Sequence, residues 1–224
     1  MKKPILSALA AAIIVGGLFA TPSGYADDTG TRLYAVTITN ITRGQIITPP
    51  VVISHNRHFE LFALGAPASP ELATLAETGN GAPLVGAVAG LPSVYRTAIG
   101  SGGIQPGKSV TVVIETSREF PQISAAAMLV STNDAFMAVR GMSTQIRGTV
   151  SAEAEAYDAG SEMNTEDCSF IPGPPCGDRN HNPAAAEGFV HIHAGIHGVS
   201  GGTLNPAQLD WRNPVAQVEI KRMR

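Results

Sequence analysis

Two runs in the sequence alternate with a period of two. Residues 33–41 read Leu-Tyr-Ala-Val-Thr-Ile-Thr-Asn-Ile, and residues 109–116 read Ser-Val-Thr-Val-Val-Ile-Glu-Thr. Successive side chains of an extended chain point to opposite faces, so alternation rich in β-branched residues predicts strands rather than helices. In the first run Tyr34, Val36 and Ile38 share one face, and Leu33, Ala35, Thr37 and Thr39 share the other. Further extended segments are expected at 51–54, 125–130, 136–139, 189–193 and 215–221, spaced by turn clusters. One helix start stands out. Ser69 serves as N-cap, Pro70 sits in the first turn, Glu71 lies near the positive dipole end, and Gly79-Asn80-Gly81 stops the helix. Short strands with little helix predict an all-β fold, an antiparallel β-sandwich with one or two short helices and long loops.

Composition narrows the class. A length of 224 residues favours one domain, expected here over 27–224. Only 15% of residues are charged, too few for a coiled coil or a charge-rich disordered tail. The net charge is −3 and no run of Lys or Arg occurs, so the electrostatic footprint of a nucleic-acid binder is missing.

Residues 1–26 read as a secretory signal. Lys2 and Lys3 form the positive end, an apolar run follows over 5–20, and Gly24-Tyr25-Ala26 supplies the small residue for cleavage after Ala26. The run is shorter than the ~20 residues of a spanning helix and is followed at once by Pro22, Ser23 and Gly24. The expectation is a secreted or periplasmic protein with no membrane span after signal removal. An oxidising compartment allows Cys168 and Cys176 to pair across Ser169-Phe170-Ile171-Pro172-Gly173-Pro174-Pro175, a segment built to turn. Two metal thiolates are the alternative, but this spacing lacks the tight C-x2-C of zinc sites. The cysteine loop lies within a stretch, 158–187, that has no regular period. So long a loop is usually functional or tied down.

Carboxylates concentrate in two turns. The first is Ser131-Thr132-Asn133-Asp134, followed by Ala135-Phe136. The second is Tyr157-Asp158-Ala159-Gly160-Ser161-Glu162. Hard cations such as calcium take several oxygen ligands from carboxylates, amides and backbone carbonyls, and Gly160 lets the chain bend between Asp158 and Glu162. On spacing alone, ordinary turns in which Asp and Asn cap their own backbone are the commoner case.

The two turns together resemble the spondin amino-terminal domain family (F-spondin/mindin-like), which also has exported bacterial members. There an S-P-D-W-F turn is followed by a Y-D-A-G-T-D turn. The opening Tyr34-Ala35-Val36-Thr37-Ile38-Thr39-Asn40 is similar to that family's first strand, and residues 55–64 to its S-H segment. Arg212-Asn213-Pro214-Val215-Ala216-Gln217-Val218 is similar to its last strand. The resemblance implies a C2-like sandwich holding one calcium at its loop end, with Asp134, Asp158 and Glu162 as ligands. Glu162 stands where the family has aspartate, and Ala135 where it has tryptophan.

Three of six histidines fall in Phe189-Val190-His191-Ile192-His193-Ala194-Gly195-Ile196-His197. On a strand His191 and His193 would share a face, and His197 could fold back to make a second, transition-metal site. The plainer expectation is a solvent-facing stripe opposite inward-packed Val190 and Ile192. Asp178-Arg179-Asn180-His181-Asn182 has the look of a calcium loop, but Pro183 replaces the required glycine and Phe189 the closing glutamate. A turn held by side-chain amides fits better.

The glycines at 100–103 lead into a strand rather than a helix, so they make no phosphate-cradling loop. The expected function is therefore a non-catalytic, calcium-binding adhesion or recognition module facing an extracellular or envelope protein or glycan surface. The alternative is a metal-handling protein or metalloenzyme using His191, His193 and His197. A third possibility is an envelope protein in which both sites only staple loops.

Overall fold

The computed structural model describes residues 30–178, 180–182 and 184–224. The expected signal, residues 1–26 with cleavage after Ala26, lies outside the described residues, as do Arg179 and Pro183. In chain order the strands are β1 Arg32–Asn40, β2 Val51–His55, β3 Val94–Ile99, β4 Ser109–Thr116, β5 Gln122–Met128 and β6 Ala135–Ser143, then β7 Thr149–Asp158, β8 His191–Ile192 and β9 Ala216–Arg222. The helices are α1 Pro70–Thr78, α2 Ala82–Val88 and α3 Pro206–Leu209. Among the described residues, no helix is long and apolar enough to cross a membrane.

All strand pairs are antiparallel, in the order β3-β2-β5-β6-β7-β9-β1-β4, with β8 added beside β7. The long β7 joins two sheets. Its first half, from Thr149 to Ala154, pairs with β9; its last four residues pair with the start of β6, and Tyr157 and Asp158 also with β8. At the far edges β3 and β4 approach, and Arg96 of β3 pairs with Glu115 of β4 across the gap at 3.0 Å. The result is an all-β, nearly closed antiparallel sandwich with few short helices.

The expected parity of β1 is observed: Tyr34, Val36 and Ile38 are buried while Leu33 is exposed. These residues enter the core between the sheets with Val52, Ile123, Met137, Val218 and Ile220. The β2-β5-β6 region is apolar on its other face too. There Val51, Ile53, Ala126, Phe136 and Ala138 pack against Leu72, Leu75 and Ala76 of α1 and Leu84 and Val88 of α2. A sheet covered on both faces needs continuous apolar strands, which is why Val51-Val52-Ile53 does not alternate.

Helix α1 follows its capping chemistry. The Ser69 hydroxyl accepts the Leu72 N–H at 3.2 Å, and Gly79, with φ of 71°, closes the C-terminus. Cys168 and Cys176 form a disulfide, with Cα atoms 4.9 Å apart. Its loop is built into the body of the protein. Ile171 is fully buried, the Ser131 hydroxyl donates to the Pro174 carbonyl at 2.6 Å, and Gly173 sits where a side chain would strike the Val130 carbonyl.

The histidine segment departs from the expected stripe. β8 is only two residues long, so no continuous pleat carries the alternation past Ile192. Val190 is buried as expected, but Ile192 is exposed and His193 is buried, the reverse of the expected facing, where the chain leaves the strand at His193 and turns at Gly195 (φ 96°).

Candidate metal centre

The β5–β6 turn is held from inside. The Thr132 hydroxyl donates to the Leu129 carbonyl at 2.6 Å and accepts the Ala135 N–H at 3.1 Å, while Leu129 N–H reaches the Ala135 carbonyl at 2.8 Å. Ser131, Thr132, Asn133 and Asp134 are all buried as a result. Register then sets the neighbours. Ala135 lies opposite Asp158 in the β6–β7 ladder, and Ala159 N–H donates to the Asp134 carbonyl at 3.2 Å. Asp134 and Asp158, 24 positions apart in the chain, are therefore side by side and both fully buried.

The two carboxylates are served unequally. Asp134 Oδ2 accepts the N–H groups of Ser161 and Glu162 at 2.8 and 3.0 Å and the Ser161 hydroxyl at 3.2 Å. Asp134 Oδ1 is buried with no hydrogen-bond partner among the described residues, and the same is true of Asn133 Nδ2. Asp158 Oδ1 accepts the Gly160 N–H at 2.7 Å, and its Oδ2 accepts from the Asn164 side-chain amide. Burial pushes the Asp134 carboxyl up to about 8, and the Asp158 charge adds to the rise against the opposing amides. Burial also raises Asp158, with Asn164 and Gly160 pulling the other way. Two buried acids facing one another favour whatever neutralises them, a proton or a cation.

Glu162 divides its groups. Its backbone N–H serves Asp134, while its carboxylate Oε1 accepts the Asn182 N–H at 2.7 Å and lies 3.0 Å from His181 Nδ1. His181 Nδ1 is also 3.0 Å from Glu77 Oε2. Among the described residues, Glu77, Glu162 and His181 are the one trio of His, Cys, Asp or Glu whose ligand atoms all lie within 4.8 Å of one another. The expected calcium set Asp134, Asp158 and Glu162 does not close to that degree in the folded chain. Neither does the histidine set His191, His193 and His197.

The histidines border the aspartate pair instead. His193 Nδ1 accepts the Gly195 N–H at 3.0 Å, so its proton is on Nε2, which donates to Asn164 Oδ1 at 3.0 Å. Both ring nitrogens are engaged, and burial lowers this imidazole to about 4, keeping it neutral. His191 and His193 stand 3.9 and 3.8 Å from the two oxygens of Asp158, and His197 lies 3.9 Å from Glu166. Glu166, itself buried, accepts the N–H groups of His197 and Val199 at 2.6 and 2.9 Å. A cavity of about 50 Å³ lies among Asn133, Asn164, Glu166, His191, His193 and His197. That volume suits a water or two.

Three contributors receive no role from sequence reasoning. Asn164 bridges Asp158 and His193, and Glu166 ties the 158–187 stretch to the 193–204 loop; both sit in a polar run with no period to single them out. A buried pair on the β2–β5 ladder is the third, where His55 Nε2 meets the Ser124 hydroxyl at 2.8 Å. Ser124 Oγ also accepts the Gly141 N–H at 2.9 Å, and His55 Nδ1 faces the Asn56 carbonyl at 2.8 Å. Ser124 is 1% exposed, so this pair pins register at a bulge rather than meeting a substrate.

No protein-family model matches the chain, and no curated protein matches it.

Proposed function

We propose that this chain is a non-catalytic recognition module, exported from the cell, whose loop end is organised by calcium bound at Asp134 and Asp158. The observation that carries this reading is the bare, buried Oδ1 of Asp134 beside a second buried carboxylate. An unpaired carboxylate oxygen in the interior is costly, and a hard divalent cation relieves both the missing bond and the mutual repulsion. Asn133 and backbone carbonyls of the turns offer further oxygen of the type calcium takes. Glu162, the third ligand implied by the spondin resemblance, serves Asp134 through its backbone N–H, while its carboxylate faces His181.

Recognition rather than chemistry is supported by what surrounds the pair. His193 has no free nitrogen, and exposed apolar side chains stand nearby in the chain, Met163 and Phe189 on loops and Ile192 on β8. Aromatic and apolar groups on a rigid loop end form a contact surface for a protein or glycan partner, and the likeness of the two acidic turns to spondin domains supports adhesion as its use. Calorimetric titration with calcium tests the reading. The wild-type protein is expected to bind one equivalent, and Asp134→Asn and Asp158→Asn to lose it. Unchanged binding in both variants would move calcium elsewhere.

A further inference from the structure

We infer that Glu77, Glu162 and His181 form a separate site for a zinc-class divalent metal, one that clips the disulfide-bearing loop to helix α1. This inference does not rest on the calcium pair. Its donor set is two carboxylate oxygens and one imidazole nitrogen. Calcium takes oxygen, whereas imidazole suits zinc and its neighbours.

The spacing fits. Tetrahedral zinc with bonds near 2.0–2.1 Å sets its ligand atoms about 3.3 Å apart. His181 Nδ1 already lies 3.0 Å from both Glu77 Oε2 and Glu162 Oε1, so a metal enters with a small outward shift of each. Three protein ligands leave the fourth position to water. Glu162 is held as an outer shell holds a metal ligand, with the Asn182 N–H donating to the same oxygen at 2.7 Å. Its side chain is 2% exposed, while His181 is half exposed and gives the metal a way in.

Helix α1 supplies an independent argument. Glu77 sits in its last turn, where the carbonyl end of the dipole favours positive charge, and the helix has no basic residue there. Glu77 and Glu162 also bring two like charges to the same His181 nitrogen. A divalent cation answers both. It would join the end of α1 to the 158–187 stretch at a point the disulfide does not reach.

Zinc titration of the protein in buffer containing excess calcium tests the assignment. The wild type is expected to take up one equivalent of zinc. His181→Ala and Glu77→Gln are each expected to weaken it at least tenfold, with calcium uptake by His181→Ala unchanged. A His191→Ala/His197→Ala double variant is expected to keep wild-type zinc affinity. Zinc-edge X-ray absorption of the wild-type complex should show one imidazole with oxygen ligands, a readout independent of any variant's folding. No zinc uptake, equal affinity in His181→Ala, or two or more imidazoles on the metal would overturn the site.

Discussion

Gly160 shows how closely the backbone is fitted around the aspartate pair. Its φ is 66°, and a Cβ there would stand 2.3 Å from the Phe189 carbonyl oxygen and 2.6 Å from the Phe189 nitrogen. Left-handed backbone costs a non-glycine residue about 1–3 kcal/mol, and the clash with main-chain atoms adds to it. Gly160→Ala is therefore expected to lower the midpoint of chemical denaturation by at least that free energy and to weaken calcium binding, because Asp158 and Ser161 flank it. His55 makes a second prediction of this kind. Burial lowers its pKa below the ordinary histidine value, so the folded state stays neutral where the unfolded chain takes up a proton. The unfolded chain then binds more protons as pH falls through about 6.5, and stability declines with it until the folded pKa is passed. In His55→Gln this decline between about pH 7 and 5 should be shallower, read from unfolding midpoints across that range.

The disulfide loop is the element most exposed to test. It buries Ile171 and hands the Pro174 carbonyl to Ser131, so it buttresses the turn that presents Asp134. Closing so short a loop stabilises by about 2–3 kcal/mol on the chain-entropy estimate. Cys168→Ala/Cys176→Ala should lose about that much in denaturant melts and should bind calcium more weakly. Legibility in the sequence divides along the same lines. β1, β4 and α1 could be read because alternation and capping are local signals. β7 could not: Ala152, Ala154 and Ala156 are its inward residues, and alanine has neither the bulk nor the branching that marks a strand. β3 and α2 were equally silent, the latter carrying Pro83 and Gly86. The nearness of Asp134 to Asp158 was an expectation drawn from the likeness of the two acidic turns to spondin domains, since the spacing of the turns alone fits ordinary backbone caps. The rotation of Glu162 toward His181 was not legible, since Glu77 lies 85 positions away and nothing local announces it.

Across the molecule, one sandwich carries the two sets of groups proposed to hold cations, the buried aspartate pair and the Glu77, Glu162 and His181 trio. β7 makes this possible. By passing from one sheet to the other it brings Asp158 to the end where β6 begins and where the 158–187 loop departs. The remaining surface follows from that placement, with Met163, Phe189 and Ile192 exposed around the loop end. The most direct test of the account is the calcium content of the protein purified without chelators, measured by elemental analysis beside an Asp134→Asn/Asp158→Asn double variant. The account predicts one calcium per chain in the wild type and none in the variant. A wild-type protein free of calcium, or a variant that retains it in full, would contradict it.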